Sequence, residues 1–317
     1  MSGPARQAGD GGAFRRVGYR LIPGTGFDYL LHMRPREWPI MIAHTSIGYL
    51  LARGIARGLD AADVAALVPG LLIWVLLLNG GTLALNSAFD RDEGDIGYLD
   101  HPPPAPRHLA LWGFALMLTG QVIALGLPRG FALAYAICFA MSLCYSVPPI
   151  RLKAVAGADW IINMIGFGTL TPYAGWALSR IPLSHAGAWT LGGFAPLFAA
   201  LYPLTQLYQL DEDRARGDRT LALALGLRAS LVLSIGAVLI AFACFANAAR
   251  PASRSTGALQ GLVLLALAAA LWLAILSRWV VRAPGMTPLA HKRGMYAALL
   301  AWAATDVAVV LAIGGTR

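Results

Sequence analysis

Charge is scarce in this chain. Only 13% of its 317 residues are Asp, Glu, Lys or Arg, about half of what a soluble domain carries. Lysine is nearly absent: Lys153 and Lys292 are the only two. The three cysteines, Cys138, Cys144 and Cys244, lie inside apolar stretches. Odd in number and without metal-ligand spacing, they exclude a disulfide framework and read as small core side chains. The segment Met1 to Arg20 has no apolar run, so no cleavable leader is expected and it reads as a short cytosolic tail. With 57% hydrophobic residues and a mean hydropathy of +0.61, an ordinary soluble globule is excluded, and so is disorder.

What is present is apolar sequence in long blocks. Nine stretches can be drawn near 38–56, 64–88, 109–127, 130–148, 159–178, 188–209, 225–247, 257–281 and 294–313. Each approaches the roughly 20 residues that a membrane-crossing helix needs. The expectation is an all-α, polytopic membrane protein of about nine transmembrane helices. Residues 1–35 form a cytosolic tail and interfacial segment, and residues 36–317 form one membrane domain. Gly166 and Gly168 suit close helix approach. Trp38, Trp176, Trp189 and Trp279 fall near span ends, as an interfacial belt requires.

The net charge of +9 and pI near 9.9 are read through the same topology, not as affinity for nucleic acid. Of the 25 Lys and Arg, seven (Arg53, Arg57, Arg129, Arg180, Arg250, Arg254, Arg317) fall on one side of the expected layout. The other 18 fall on the side of the N-terminus and the loops after spans 2, 4, 6 and 8. Basic residues accumulate in the cytoplasm, which places the N-terminus there.

The acids are more unevenly spread. Nine of the 16 fall in two clusters, Asp90, Asp92, Glu93, Asp95 and Asp100, then Asp211, Glu212, Asp213 and Asp218. The clusters end the second and sixth spans, so both face the cytoplasm, and the chain reads as two loosely similar halves. Asn86, Asp90 and Glu93 share one helical face. Acids at a helix C-terminus oppose its dipole, so a merely solvated helix end is an uncomfortable alternative. Oxygen ligands at this density suit Mg²⁺, which binds through a few carboxylates together with substrate phosphates. Two such clusters suit two ions gripping one diphosphate. The second cluster is accompanied by four arginines, so a salt-bridged loop is its plainer reading. A third segment, YSVPPIRLK, lies on the same side. There Arg151 and Lys153 are placed to contact phosphate, or serve simply as positive-inside charge.

Together the three segments resemble the UbiA superfamily of intramembrane prenyltransferases, from about Arg34–Pro35 to the end of the chain. That family carries N-x-x-x-D-x-x-x-D after its second helix, Y-S-x-P-P-x-x-x-K after its fourth, and D-x-x-x-D after its sixth. Asn86 and Asp90 match the first motif, and Tyr145, Ser146, Pro148, Pro149 and Lys153 match the second. Asp213 matches the last position of the third. The chain departs from the pattern at Gly94, flanked by Glu93 and Asp95, and at Gln209, near Asp211 and Asp218.

The resemblance implies Mg²⁺-dependent transfer of a prenyl group from an isoprenoid diphosphate to a lipophilic acceptor: a quinone or other aromatic precursor, a chlorin, a lipid or a carotenoid. It implies Asp90, Glu93, Asp95, Asp211, Asp213 and Asp218 as metal ligands. Asp90, Asp213, Tyr145 and Lys153 become catalytic candidates, and Asn86, Arg91, Arg151, Gln209 and Arg219 become substrate-binding candidates. Tyr145, Tyr173, Phe167, Tyr202 and Tyr208 offer aromatic faces to an allylic cation, though each has packing as its plainer role. Gly94 to Pro106 suits a lid, or an ordinary stiff loop. Within the spans, Asp306 is a functional candidate by cost alone, and Asn163 is placed to line the same cavity. His44 reads as a helix contact, and Asp159 as a helix N-terminal charge contact. The alternatives are a membrane terpene cyclase of the same fold and a transporter with an acidic cytosolic mouth. Transporters bind near the bilayer midplane, where only Asp306 would lie.

Overall fold

The computed structural model describes residues 13–56, 58–90, 99, 101–250 and 256–314. Two short helices open the chain, α1 (Ala13–Leu21) and α2 (Gly26–His32). α3 (Trp38–Arg53) follows, then α4 (Ala61–Leu71) and α5 (Gly80–Asp90). A π-helical stretch, Leu72–Asn79, joins α4 and α5 into one 30-residue rod. Next come α6 (Leu109–Ala124), α7 (Arg129–Ser146), the short α8 (Ala158–Asn163) and α9 (Thr171–Leu178). The last two are joined by a second π stretch, Met164–Leu170. The second half holds α10 (His185–Gln206), the short α11 (Leu210–Arg216), α12 (Leu221–Ala248), α13 (Thr256–Arg282) and α14 (Pro288–Ile313).

Every one of the nine apolar stretches falls on one of these rods. Five helical segments among the described residues are long and apolar enough to cross a membrane by length and composition: Ala61–Asp90, Arg129–Ser146, Leu221–Ala248, Leu259–Gly285 and Pro288–Ile313. Their outward faces carry large apolar side chains such as Val64, Leu133, Val232, Ile240, Leu267 and Leu300, all exposed. A water-facing surface would not display such a belt.

The buried core divides in two. One cluster gathers α3 to α7 and α9 around Trp74, Phe131 and Tyr135. The other gathers α10 and α12 to α14, with part of α3, around Phe194, Phe245, Trp272 and Trp302. α10 runs along α12, α3 crosses α9, and α5 crosses α6. At the α3–α9 crossing a Cβ on Gly48 would strike the Pro172 carbonyl, and one on Gly175 the Thr45 carbonyl, so small residues let the two backbones touch.

Prolines within the rods release carbonyls that neighbouring helices then claim. Pro203 has no N–H for the Ala199 carbonyl, which accepts instead from Trp160 Nε1 at 2.9 Å. In the second π stretch Thr171 N–H goes to Gly166 and residue 172 is proline, so the Phe167 carbonyl has no helical donor. His44 Nε2 supplies it at 3.0 Å.

Two tryptophans depart from the expected belt. Trp176 and Trp279 are 1% and 3% exposed, donating to the Ile181 carbonyl and to His291 Nδ1. Each is large enough to fill a helix junction and has a buried acceptor for its N–H, so packing outweighs the interface. All three cysteines are free thiols.

Candidate active site

The Y-S-x-P-P segment leaves α7 and turns sharply. Past the cis Pro148–Pro149 bond, Arg151 takes a left-handed conformation with φ 36°, a region a non-glycine residue occupies at a cost. The turn sends its guanidinium between the two halves. Arg151 Nη1 donates to Asp218 Oδ1 at 2.6 Å, and Nη2 stands 3.5 Å from Asp90 Oδ1. One side chain therefore touches both acidic segments. Lys153 Nζ pairs with Asp90 Oδ1 and donates to Asn86 Oδ1 at 3.1 Å. Asn86 also accepts from Ser146 Oγ at 3.4 Å. The loop backbones are joined as well: Arg219 N–H donates to the Ala154 carbonyl at 3.2 Å. The side chains of Asp90 and Asp218 are 7% and 6% exposed, so these charges interact with little screening by water.

The second acidic segment is held by a buried carboxylate. Asp159, fully buried, accepts from the Gly157 N–H at 2.9 Å, from Gln206 Nε2 at 2.9 Å and from the Leu221 N–H at 3.1 Å. Gln206 Oε1 in turn accepts from the Ala222 N–H at 3.1 Å. The free N–H groups at the start of α12 are thereby satisfied from α8 and α10. Gly217, at φ 75°, ends α11 in the left-handed conformation that glycine supplies without cost. The chain then turns so that Asp213 and Asp218 face inward, both buried, with Thr220 Oγ1 3.4 Å from Asp213 Oδ2.

Asn86, Asp90, Lys153, Gln206, Asp213, Asp218 and Thr220 help to line a polar cavity of about 260 Å³. Four acids (Glu37, Asp90, Asp213, Asp218) face three bases (Arg34, Lys153, Lys292), with Asn86, Gln209, Tyr208 and Tyr296 between them. Glu37 lies just ahead of α3; burial pushes its carboxyl above the ordinary value and Arg34 pulls it back. Beneath lies an apolar chamber of about 280 Å³, walled by Trp74, Leu78, Met141, Phe167, Phe198 and Trp302 among others. Arg34, Glu37, Asn86, Tyr145, Tyr202 and Thr205 border both spaces. The hydroxyls of Tyr145 and Tyr202, 2.9 Å apart, sit at that junction. Both π stretches contribute to the chamber wall.

A model of the UbiA prenyltransferase family matches residues 41–300. The chain belongs to this family. The UbiA family is embedded in membranes, in keeping with the apolar outer surface. A digeranylgeranylglyceryl phosphate synthase of Methanothrix thermoacetophila is 30% identical over 176 residues, 53% of this chain and 62% of that protein. The lycopene elongase/hydratase of Halobacterium salinarum is 27% identical over 233 residues, 69% of this chain and 79% of that protein. The chain thus spans between 62% and 79% of the length of these two relatives. A UbiA homologue from Archaeoglobus fulgidus, solved bound to GPP and Mg²⁺, superposes with a TM-score of 0.62 at 19% identity, covering 89% of this chain and 99% of that one. A structure of digeranylgeranylglyceryl phosphate synthase superposes with a TM-score of 0.64 at 13% identity, covering 92% and 98%. At these identities the likeness is one of fold.

Set against this UbiA framework, the sequence-derived residues divide. Asn86, Asp90, Tyr145, Lys153, Gln209, Asp213 and Asp218 come together around the polar cavity, with Arg151 against it. Asp211 does not: its side chain is 89% exposed and pairs with Arg214 at 2.9 Å. Arg219 is exposed, contributing its backbone rather than its guanidinium. Asn163 and Phe167 line the apolar chamber, and Tyr202 and Tyr208 line the polar one. Tyr173 packs into the core instead. Asp306 stands beside His44, away from the polar cavity. Arg91, Asp92, Glu93, Asp95 and Asp100, with most of the first part of the Gly94–Pro106 segment, lie outside the described residues. Sequence reasoning missed Arg34, Glu37, Gln206, Lys292 and Tyr296, which reach the cavity from elements without a motif. It undervalued Asp159.

Proposed function

We propose that the protein is a membrane prenyltransferase that takes an isoprenoid diphosphate, headgroup in the polar cavity and chain in the apolar chamber, and transfers the prenyl group to a lipophilic acceptor. The observation that carries this is the joined pair of spaces. A charged cavity opens directly onto an aromatic-walled chamber, with Asn86, Tyr145 and Tyr202 at the boundary. An amphiphile with a compact anionic head fits that arrangement. Family membership and the GPP and Mg²⁺ bound by the Archaeoglobus homologue point the same way.

The donor set suits Mg²⁺. Asp90, Asp213 and Asp218 offer carboxylates, and Asn86 and Gln209 offer amide oxygens. Among the described residues no three His, Cys, Asp or Glu stand close enough to hold a metal unaided. That matches an ion bound through one or two carboxylates and completed by phosphate oxygens; Glu93 and Asp95 are further ligand candidates by sequence alone. When bound, Mg²⁺ neutralises the negative charge that gathers on the departing diphosphate. Lys153 and Arg151 serve the same charge from the protein side, each already held in place by Asp90 or Asp218. Departure breaks the C1–O bond. The electron pair leaves with the diphosphate, and the allylic cation forms beside Tyr145 and Tyr202, whose ring faces and oxygens stabilise positive charge. The acceptor's nucleophile then bonds to C1 and loses its proton.

In the same reading the nine rods each cross the membrane and the polar cavity opens to the cytoplasm; the 18-to-seven division of basic residues supports that orientation. The test is diphosphate release by the purified protein in lipid nanodiscs with Mg²⁺ and geranylgeranyl diphosphate, with and without candidate acceptors. Release that depends on Mg²⁺ and acceptor, and is lost in D90N and D213N proteins that retain their fold, is the expected result. Release without acceptor, yielding a discrete hydrocarbon, would make it a cyclase. Undiminished release in both variants would overturn the site.

A further inference from the structure

α1 has three sides, and one of them is an exposed apolar ridge. Phe14, Val17 and Leu21 recur at i, i+3 and i+7 and so share one helical face. They are 52%, 51% and 75% exposed, and Ile22, also exposed, extends the ridge past the helix end. A second side fixes the helix to its neighbours. Gly18 is buried against the Phe27 ring, where a Cβ would clash. Tyr19 meets the same ring edge-on at 4.9 Å and donates to Asp28 Oδ1 at 2.7 Å. Arg15 Nη2 donates to the His101 carbonyl at 2.9 Å. The third side carries Arg16 and Arg20, four residues apart and exposed. The first turn of α1 has no acid to offset them. The level of the helix follows from α2. Tyr29 and Leu30 pack with Leu109 and Leu116 of α6, and Tyr29 lies 5.8 Å from the Trp112 ring. Leu109 to Leu116 covers about 10 Å at 1.5 Å per residue. α2 therefore rests on the flank of the first two turns of α6, beside the exposed Leu111 and Trp112 of the apolar outer surface. Arg34, just past α2, lines the polar cavity, so the two helices sit at that end of the bundle.

We propose that α1 lies flat in the membrane leaflet at the polar-cavity end, with Phe14, Val17 and Leu21 among the acyl chains and Arg16 and Arg20 on anionic lipid headgroups. An apolar ridge with a basic flank, held at the level where the apolar outer surface begins, is the pattern of an interfacial helix. The charge decides the occupant. A second copy meeting this one ridge to ridge would bring two pairs of arginines together, whereas an anionic leaflet answers both the ridge and the charge. Through Arg15 and Tyr19 the docked helix braces the His101 segment and α2. This goes beyond the prenyl-transfer reading, since it needs neither diphosphate nor Mg²⁺.

The test places a nitroxide on V17C in the full chain, with Cys138, Cys144 and Cys244 replaced by alanine, in nanodiscs of phosphatidylcholine alone or mixed with phosphatidylglycerol. L267C marks the lipid-facing surface and D211C the water-facing one. In the mixed lipid V17C should be open to oxygen and shielded from a water-soluble nickel chelate, as L267C is. Each arginine should favour the docked state about fivefold on the anionic surface, so shielding should weaken in phosphatidylcholine alone. In R16Q/R20Q the two lipids should give the same result. The unaltered protein supplies a measurement that needs no variant: α1 amides should exchange hydrogen more slowly in the mixed lipid than in phosphatidylcholine. V17C as open to the chelate as D211C in both lipids would overturn the proposal, since the ridge would then face water. Dipolar broadening between labels would overturn it by placing a second copy on the ridge. Equal amide exchange in the two lipids would overturn the role of anionic headgroups.

Discussion

Arg151 is the residue on which the two halves of the polar site meet. Its guanidinium offers a fork of donors, and two prongs reach Asp90 and Asp218 from a strained backbone. Lysine would keep the charge and lose the fork. We expect R151K to lower kcat/KM for diphosphate release by roughly 10²-fold, and R151A by more, with thermal stability changing far less than activity. Equal activity in R151K would show that only charge matters there. A different single residue contributes to the loss of stability in acid. His32, on α2, is buried, and its Nε2 lies 3.1 Å from the Pro103 carbonyl. Burial, the largest influence, holds its pKa below the ordinary 6.5. Above pH 6.5 the ring is neutral folded or unfolded, and its full contribution is present. As pH falls below 6.5 the unfolded chain takes up the proton first, so stability is lost until the folded ring protonates too. The melting temperature should therefore drop between pH 7 and pH 5 by less in H32Q than in the unaltered protein; identical drops would exclude His32 as a contributor.

At the scale of elements, α12 begins in an unusual way: its first N–H groups are satisfied by Asp159 and Gln206 from two other helices. Replacing Asp159 with alanine strands those donors and releases the segment that carries Asp213 and Asp218. We expect D159A to cost about 3 kcal/mol, and Q206A less, read as a lowered melting temperature with weakened diphosphate binding. Intact stability in D159A would mean that water replaces the carboxylate. The α3–α9 crossing makes a second demand, because G48A drives a methyl into the Pro172 carbonyl. Overpacking of this kind costs about 1–3 kcal/mol.

These elements also show what the sequence discloses. Rod positions were legible because membrane spans advertise themselves by length. Asn86 and Asp90 were legible as one helical face, and Lys153 as their neighbour through the motif resemblance. Between Asp211 and Asp218 as a companion to Asp213, periodicity already spoke against Asp211: two residues from Asp213 on α11, it stands about 200° away. Arg34, Glu37, Lys292 and Tyr296 were hidden, because only the meeting of three distant helix ends places them at one cavity. The π stretches were hidden too, since nothing in a continuous apolar run marks where the ladder widens; Pro172 hints at it only once Phe167 and His44 are seen together.

At the scale of the whole molecule, the fold sets every ionisable group of the polar cavity at one end of the bundle, and leaves the chamber beneath it walled almost wholly by carbon. Such polarity is useful only if the charged end faces the compartment that supplies the diphosphate. Orientation is therefore part of the mechanism, and the arginine distribution predicts it. Asp211 is exposed on α11 beside the cavity, and Arg129 is exposed at the start of α7, across the expected membrane. In a protein whose Cys138, Cys144 and Cys244 are replaced by alanine, D211C should react with a membrane-impermeant maleimide in inverted vesicles and be protected in right-side-out ones. R129C should show the reverse. Labelling of both from one face would break the topology and the shared cytosolic mouth together. Labelling with the two faces exchanged would keep the cavity intact, and would require the diphosphate to arrive from outside the cytoplasm.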